Sequence, residues 1–234
     1  MSEMKPQVYF FHGFWGRTQD FHSMNSPAID IKSVEYTQDE LLAPDKPLSW
    51  WGERFDQWIK RHNVAVPLRA VGYSQGGRLL LQAFQADPHY FEKLILISSH
   101  PGLVNKEDRK QRLDQDQQKA QHFRTWDWSK LQASWNAQGV FQGGKETIRK
   151  EEDFDREILA LCLENWSLGW QENFRELILQ WPDKIKIILG EKDSKYVALY
   201  EEFGCSFRKI KGAAHRAPFD QSQLCLTAIE SFLL

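Results

Sequence analysis

Residues 72–77 read GYSQGG and place a serine in the pattern G-x-S-x-G. A lone serine hydroxyl reacts poorly, but it becomes a nucleophile or a base beside a histidine that takes its proton. In a strand–turn–helix context this spacing puts Ser74 on a sharp turn, where side chains at Gly72 and Gly76 would collide. The N–H of Gln75 then points where Ser74 Oγ points and supplies one donor for an oxyanion. Such a turn needs an acid and then a histidine further along the chain, each behind a late strand. Asp193 in GEKDSK and His215 in KGAAH occur in that order. Asp183 competes as the acid, and strand context favours Asp193. HGFWG (12–16) is the candidate loop for a second oxyanion donor, the Phe14 N–H, with His12 holding the loop. His22, His62, His89 and His122 lie in polar surroundings and read as surface residues, while His100 ends an apolar run near the site.

The elements that must position these residues follow from apolar spacing. Residues 7–11, 29–36, 66–74 and 93–99 are short β-rich runs and read as strands. Residues 48–63 carry Trp51, Phe55, Trp58 and Ile59 at helical spacing, with Ser49 as the expected cap. Residues 75–88 form a helix that stops before Pro88. Alternating strands and helices imply a parallel sheet covered on both faces. The pattern breaks at 105–122, a polar stretch that predicts a solvated helix, and at 123–181, which holds six of the 10 tryptophans. It resumes with a strand and turn at 184–193, a helix at 194–204 ended by Gly204, a strand and loop at 205–215 and a closing helix at 220–234. The fold class is therefore α/β: an α/β-hydrolase fold with a mostly parallel central sheet flanked by helices. Residues 1–102 and 183–234 would form the core, and 103–182 a helical cap insertion. The tryptophan surplus predicts an aromatic core within that cap, because a small layer needs large side chains.

Composition excludes several classes. The chain has 234 residues, 41% hydrophobic and 26% charged, with net charge −2, which is ordinary for a globular protein and argues against non-specific nucleic-acid binding. Cys162, Cys205 and Cys225 read as plain thiols of a reducing compartment, without a disulfide framework or a zinc-type pair. The apolar run at 8–11 is too short for a secretory core, and no stretch approaches the ~18 apolar residues of a membrane span. The expectation is a cytoplasmic protein with neither a membrane nor a nucleic-acid partner. Oligomeric state is left open.

Taken together, HGFWG (12–16), GYSQGGR (72–78), SSHPGL (98–103) followed by a basic helix with Arg112, Trp135, and GEKDSK (190–195) resemble one family. It is the 2-succinyl-6-hydroxy-2,4-cyclohexadiene-1-carboxylate synthase family, α/β-hydrolase-fold lyases of menaquinone biosynthesis. The likeness runs from near residue 10 to the C-terminus. It implies that Ser74, activated by His215 and Asp193, acts as a base whose proton abstraction drives elimination of pyruvate. The Phe14 and Gln75 N–H groups would hold the developing negative charge, and no metal or organic cofactor is implied. The substrate would be a small polycarboxylate, which calls for fixed cations, and guanidinium pairs bidentately with carboxylate. Arg78 lies one helical turn after Ser74. Arg112 matches the family's basic position, and Lys195 follows the acid by two residues. Trp135, Tyr73 and His12 complete the candidate substrate-binding set, Trp135 either lining the pocket or packing the insertion.

Three departures from the family stand out. Residues 36–49 (YTQDELLAPDKPLS) lack the usual glycine-rich turn, LCLENWSLG (161–169) contains no arginine, and Ala214 precedes the histidine where glycine is usual. The same triad would also serve a hydrolase of esters, lactones or C–C bonds. A non-catalytic ligand-binding protein on this fold is the third reading.

Overall fold

The structure is a computed structural model that describes residues 5–234. Its strands are β1 (Gln7–Phe11), β2 (Asp30–Val34), β3 (Leu68–Tyr73), β4 (Phe91–Ile97), β5 (Ile185–Gly190) and β6 (Arg208–Ile210). Every pairing is parallel, in the order β2–β1–β3–β4–β5–β6. The helices are α1 (Trp51–Arg61), α2 (Gln75–Ala86), α3 (Lys106–Thr125), α4 (Trp128–Asn136), α5 (Arg156–Asn165), α6 (Arg175–Gln180), α7 (Ser194–Glu202), α8 (Ala217–Asp220) and α9 (Ser222–Leu233).

The central strands are buried almost end to end because both sheet faces are covered. Successive side chains of a strand point to opposite faces. Leu94 and Leu96 join the layer built with α1 and α2, whereas Ile95 and Ile97 join the layer built with α9. Helix α1 turns Trp51, Phe55, Trp58 and Ile59 to the first layer. Ser49 does not cap it. A 3-10 turn (Leu48–Trp50) leads into the helix and puts Trp50 at the cap position, so Ser49 sits one residue too early to reach the free N–H groups. Trp50 is an exposed residue of that turn rather than part of the helix.

The chain leaves β1 for β2 on one side and then returns to β3 on the other. The loops behind β1 and β3 therefore diverge, and a crevice opens over the carboxyl ends of these strands, the usual ligand position in open α/β sheets. The loop at 37–49 is held without glycines. Arg54 donates to the Glu40 and Ala43 carbonyls and to Asp45, Leu42 is buried, and Asn165 Nδ2 donates to the Pro44 carbonyl.

Helices α3 to α6 lie between β4 and β5. Helix α3 is longer than expected and is not solvated all round, since it buries Asp116, Ala120 and Phe123 against α5 and its neighbours. The tryptophans divide differently from the expectation of a single cap core. Trp126, Trp128 and Trp135 pack with Trp15 in an aromatic cluster of the cap, Trp166 and Trp181 join the sheet layer, and Trp170 is exposed. Trp166 meets Trp51 edge-on at 5.2 Å and Tyr36 at 5.9 Å, which pins the end of α5 to the core. Among the described residues no helix is long and apolar enough to cross a membrane.

Trp166 is 1% exposed and Trp170 is 60% exposed. Trp166→Ala should lower unfolding free energy by about 3–5 kcal/mol in urea titration, while Trp170→Ala should stay within about 1 kcal/mol of wild type.

Candidate active site

Ser74 has φ 51° and ψ −110°, a left-handed backbone that a residue with a side chain adopts only under constraint. The constraint comes from close backbone packing. A Cβ on Gly72 would meet Gly77 Cα at 2.4 Å, and one on Gly76 would meet the Phe11 and His12 carbonyl oxygens at 2.4 Å. The turn is also tied to the sheet, since Ser74 N–H donates to the Ile97 carbonyl at 2.8 Å. Helix α2 thus starts against the end of β1, and Ser74 stands at the crevice.

His215 Nε2 lies 3.3 Å from Ser74 Oγ, and His215 Nδ1 lies 2.8 Å from Asp193 Oδ2. An ionised carboxylate only accepts, so Nδ1 carries the ring proton and Nε2 presents its lone pair to Ser74. Apo distances of this kind are commonly long and tighten when substrate binds. Asp193 and His215 are buried. Asp193 occupies the cap position of α7, but its side chain makes no capping bond and turns to His215 instead. Asp183 is exposed and precedes β5, at the far end of that strand from the site. Ala214 fits in place of glycine, its N–H donating to Asp220 Oδ2.

Phe14 lines the cavity that Ser74 touches, and Gln75 follows Ser74 at the start of α2. Among the described residues neither the Phe14 N–H nor the Gln75 N–H donates to a protein acceptor. Gln75 is the first residue of α2, where N–H groups have no partner within the helix and carry its positive end. His12 is buried and is not among the residues that line the cavity at Ser74, and neither are Arg78, Arg112 and Lys195. The His12 ring reaches the Gly13 carbonyl at 2.9 Å and Glu35 Oε1 at 3.0 Å, and stacks on Tyr36. Burial raises the Glu35 carboxyl pKa, but His12, Thr37 and the Thr18 N–H together outweigh this and leave it below the usual value.

A cavity of about 50 Å³ touches Ser74. Tyr73 and Trp135 line it, as do Phe141, Arg149, Arg216 and Phe219, which sequence reasoning did not single out. Trp135 fills both roles considered for it, meeting the cavity on one side and packing on Phe14 and Phe123 on the other. Arg78 is buried, its Nε donating to Gln171 Oε1 and its Nη2 to the Trp166 carbonyl, both at 2.6 Å. Burial, and then Arg112, lower it to about 10, so it stays charged at neutral pH. Arg112 is paired with buried Asp116 at 2.7 Å, and Lys195 is exposed on the first turn of α7.

The three expected cations act on a common neighbour. His100 is pushed down to about 3, first by burial and then by Arg78, Arg112, Lys195 and Arg175. Its Nδ1 accepts from the Gly102 N–H at 3.0 Å, which suits a neutral ring. Tyr196, also missed, stands between the two histidines, 4.7 Å from the His215 ring and 5.8 Å from the His100 ring. Its position three residues after Asp193, one turn along α7, was the available signal.

Hydrogen-bonded Ser, His and Asp occur on several unrelated folds. Here the serine follows β3 on a strained turn, the acid follows β5 and the histidine follows β6, all at the carboxyl ends of one parallel sheet. That combination defines the α/β-hydrolase class. Solved structures share the fold. MenH from S. aureus superposes with TM-score 0.82 over 99% of this chain and 94% of that one, at 18% identity. A thermophilic esterase from Thermogutta terrifontis gives 0.74 over 98% and 90%, at 13% identity. No protein-family model matches the chain. Relatives narrow the class. The chain is 34% identical over 224 residues to the 2-succinyl-6-hydroxy-2,4-cyclohexadiene-1-carboxylate synthase of Escherichia coli O1:K1 / APEC, covering 91% of this chain and 87% of the relative. It is 28% identical over the same shares to the synthase of Shigella flexneri serotype 5b. The chain belongs to the 2-succinyl-6-hydroxy-2,4-cyclohexadiene-1-carboxylate synthase family.

His100 gives a pH prediction. Its folded value of about 3 lies below the ordinary 6.5, so between these values the unfolded chain binds a proton that the folded chain does not. Stability contributed by the neutral ring is complete above about pH 6.5 and is lost as pH falls toward 3. His100→Asn keeps an acceptor near the Gly102 N–H and removes the titration. Urea unfolding at pH 7 and pH 5 should show a smaller loss on acidification in the variant. Gly76→Ala places a methyl against two carbonyl oxygens of the β1 end, so it should lower the melting temperature and abolish turnover together.

Proposed function

We propose that the protein eliminates pyruvate from a succinyl-enolpyruvyl-hydroxycyclohexene-carboxylate and forms 2-succinyl-6-hydroxy-2,4-cyclohexadiene-1-carboxylate. His215 Nε2 accepts the Ser74 hydroxyl proton, and Ser74 Oγ removes a proton from a substrate carbon. The N–H groups of Phe14 and Gln75 hold the negative charge that develops, and its collapse breaks the C–O bond to the enolpyruvyl group. Asp193 keeps His215 in the required tautomer and offsets the imidazolium charge. Deprotonation and charge stabilisation both come from groups of the chain, so the reading assigns no metal or organic cofactor. The partner is a small polycarboxylate, neither nucleic acid nor membrane, and the setting is the cytoplasm.

The observation that carries this reading is Arg78. A buried guanidinium bonded only to neutral acceptors is costly unless an anion arrives to pair with it. A simple ester offers no such charge. The electrostatic reach of Arg112 and Lys195 to the same region adds to the attraction. Family membership supports the same choice, because the relatives carry the synthase name.

Purified protein given the enolpyruvyl substrate should release pyruvate, read continuously with a coupled reductase. Ser74→Ala and His215→Ala should each lower kcat by about 10²–10⁴-fold. Arg78→Met should raise KM by about 10- to 100-fold, the loss of charged hydrogen bonds to a carboxylate. No pyruvate at high enzyme concentration overturns the proposal. Fast hydrolysis of simple aryl esters with Arg78 and Arg112 dispensable would identify a serine hydrolase instead.

A further inference from the structure

Arg78 is not alone in being buried without an anion. Arg149 and Arg216 line the cavity at Ser74, on the side of the His215 loop. Arg149 is fully answered, since its two terminal nitrogens lie 2.6 and 2.8 Å from the two oxygens of Asp20. Arg216 is different. It is 4% exposed, and its charged end meets only neutral acceptors, the Lys145 carbonyl at 2.9 Å and Asn136 Oδ1 at 2.7 Å. Phe141 lies beneath its guanidinium at 3.9 Å, which orients the plane without neutralising it. These bonds use two of its five N–H donors.

A tether for the cap loop explains Arg216 poorly. The loop at Gly144 and Lys145 is already bound through Asp220, whose Oδ1 accepts from Lys145 N–H at 2.7 Å and whose Oδ2 accepts from Ala214 N–H at 2.8 Å. Both oxygens of this nearby carboxylate are thereby engaged on backbone. A neutral amide would tie the loop equally well and avoid a buried charge. Burial lowers the pKa of Arg216, and Asp220 and Glu146, which act in the opposite sense without bonding its guanidinium, do not restore it.

We propose that Arg216 is a carboxylate-binding residue of the Ser74 cavity, so that the substrate is received between two guanidinium groups, Arg78 at the start of α2 and Arg216 beside His215. The ligand class is a small organic carboxylate. This rests on the polycarboxylate reading of the site and adds to it a second anion subsite, in the cavity that Ser74 touches.

The test compares 4-oxo-4-phenylbutanoate with its neutral amide by titration calorimetry, using the full chain. Wild type should prefer the carboxylate. Arg216→Gln should weaken carboxylate binding by about 10- to 100-fold and leave amide binding unchanged. Arg216→Lys keeps the charge but loses the planar fork, so its loss should be intermediate. It decides the matter if the glutamine variant melts below the assay temperature. Equal loss of carboxylate and amide binding, no loss of either, or no carboxylate preference in wild type overturns the proposal. Pyruvate release reads the proposed reaction separately: a wild type that binds the carboxylate through Arg216 but releases no pyruvate refutes that reaction and leaves the subsite standing.

Discussion

The site depends on one close packing, the first turn of α2 set directly on the end of β1. The backbone of Gly76 leaves no room for a side chain against the Phe11 and His12 carbonyls. The two segments touch there, and Gly13, Phe14 and Ser74 line one cavity. The strained backbone of Ser74 is a consequence, and strain of about 1–3 kcal/mol at one residue persists only where surrounding contacts determine it. The Ile97 carbonyl supplies one such contact by continuing the β3–β4 ladder into the turn. The end of β5 is crowded in the same way, since a Cβ on Gly190 would fall 2.0 Å from the Ala214 carbonyl. The histidine loop therefore rests on the strand that leads to Asp193, and the three side chains of the relay are placed by backbone packing more than by their own hydrogen bonds.

Charge distribution separates structure from site. Arg112, Arg124 and Arg149 each have carboxylate partners. Arg78 and Arg216 are buried with neutral acceptors only. Breaking or omitting one partner of a buried pair is destabilising, because the remaining charge is left without compensation. A sequence selected for stability alone would remove such groups. Conflict between local stability and the chosen residue is expected where a ligand completes the arrangement. His100 follows the same logic from the other direction. Surrounded by Arg78, Arg112, Lys195 and Arg175, it is held neutral and adds no further positive charge to the space.

The relay was legible because each of its parts is local. G-x-S-x-G is a backbone requirement within six residues, and Asp193 and His215 follow strands that apolar runs reveal. The central strands β3, β4 and β5 were legible for the same reason, their burial being nearly continuous along the chain. The remainder depends on contacts across long separations. Gln171 meets Arg78 across 93 positions and Asn136 meets Arg216 across 80, and no local pattern marks either pair. Ser49 failed as a cap because a 3-10 turn precedes the helix and puts Trp50 at the cap position. Helix α3 hid its buried face, since the residue facing inward at 116 is an aspartate whose Oδ2 accepts from Arg112 and Ser167. Polar residues that bury as a bonded set look like solvent residues in sequence.

The tryptophan surplus joins these observations. Trp15 immediately follows the donor residue Phe14 and has a positive φ of 55°, an unfavourable conformation for a bulky residue. Its indole N–H is buried without an acceptor, so hydrogen bonding does not hold it there. Aromatic packing does. Phe123 and Trp128 meet it edge-on at 4.9 and 5.0 Å, and Trp135 and Phe154 close the remaining sides. Edge-to-face pairs of this kind are each worth about 0.5–1.5 kcal/mol beyond the area they bury, enough together to offset one strained residue. These partners all belong to the segment between β4 and β5. The aromatic cluster of this segment therefore seats the residue next to Phe14, and Phe14, Trp15 and Ser74 line one cavity.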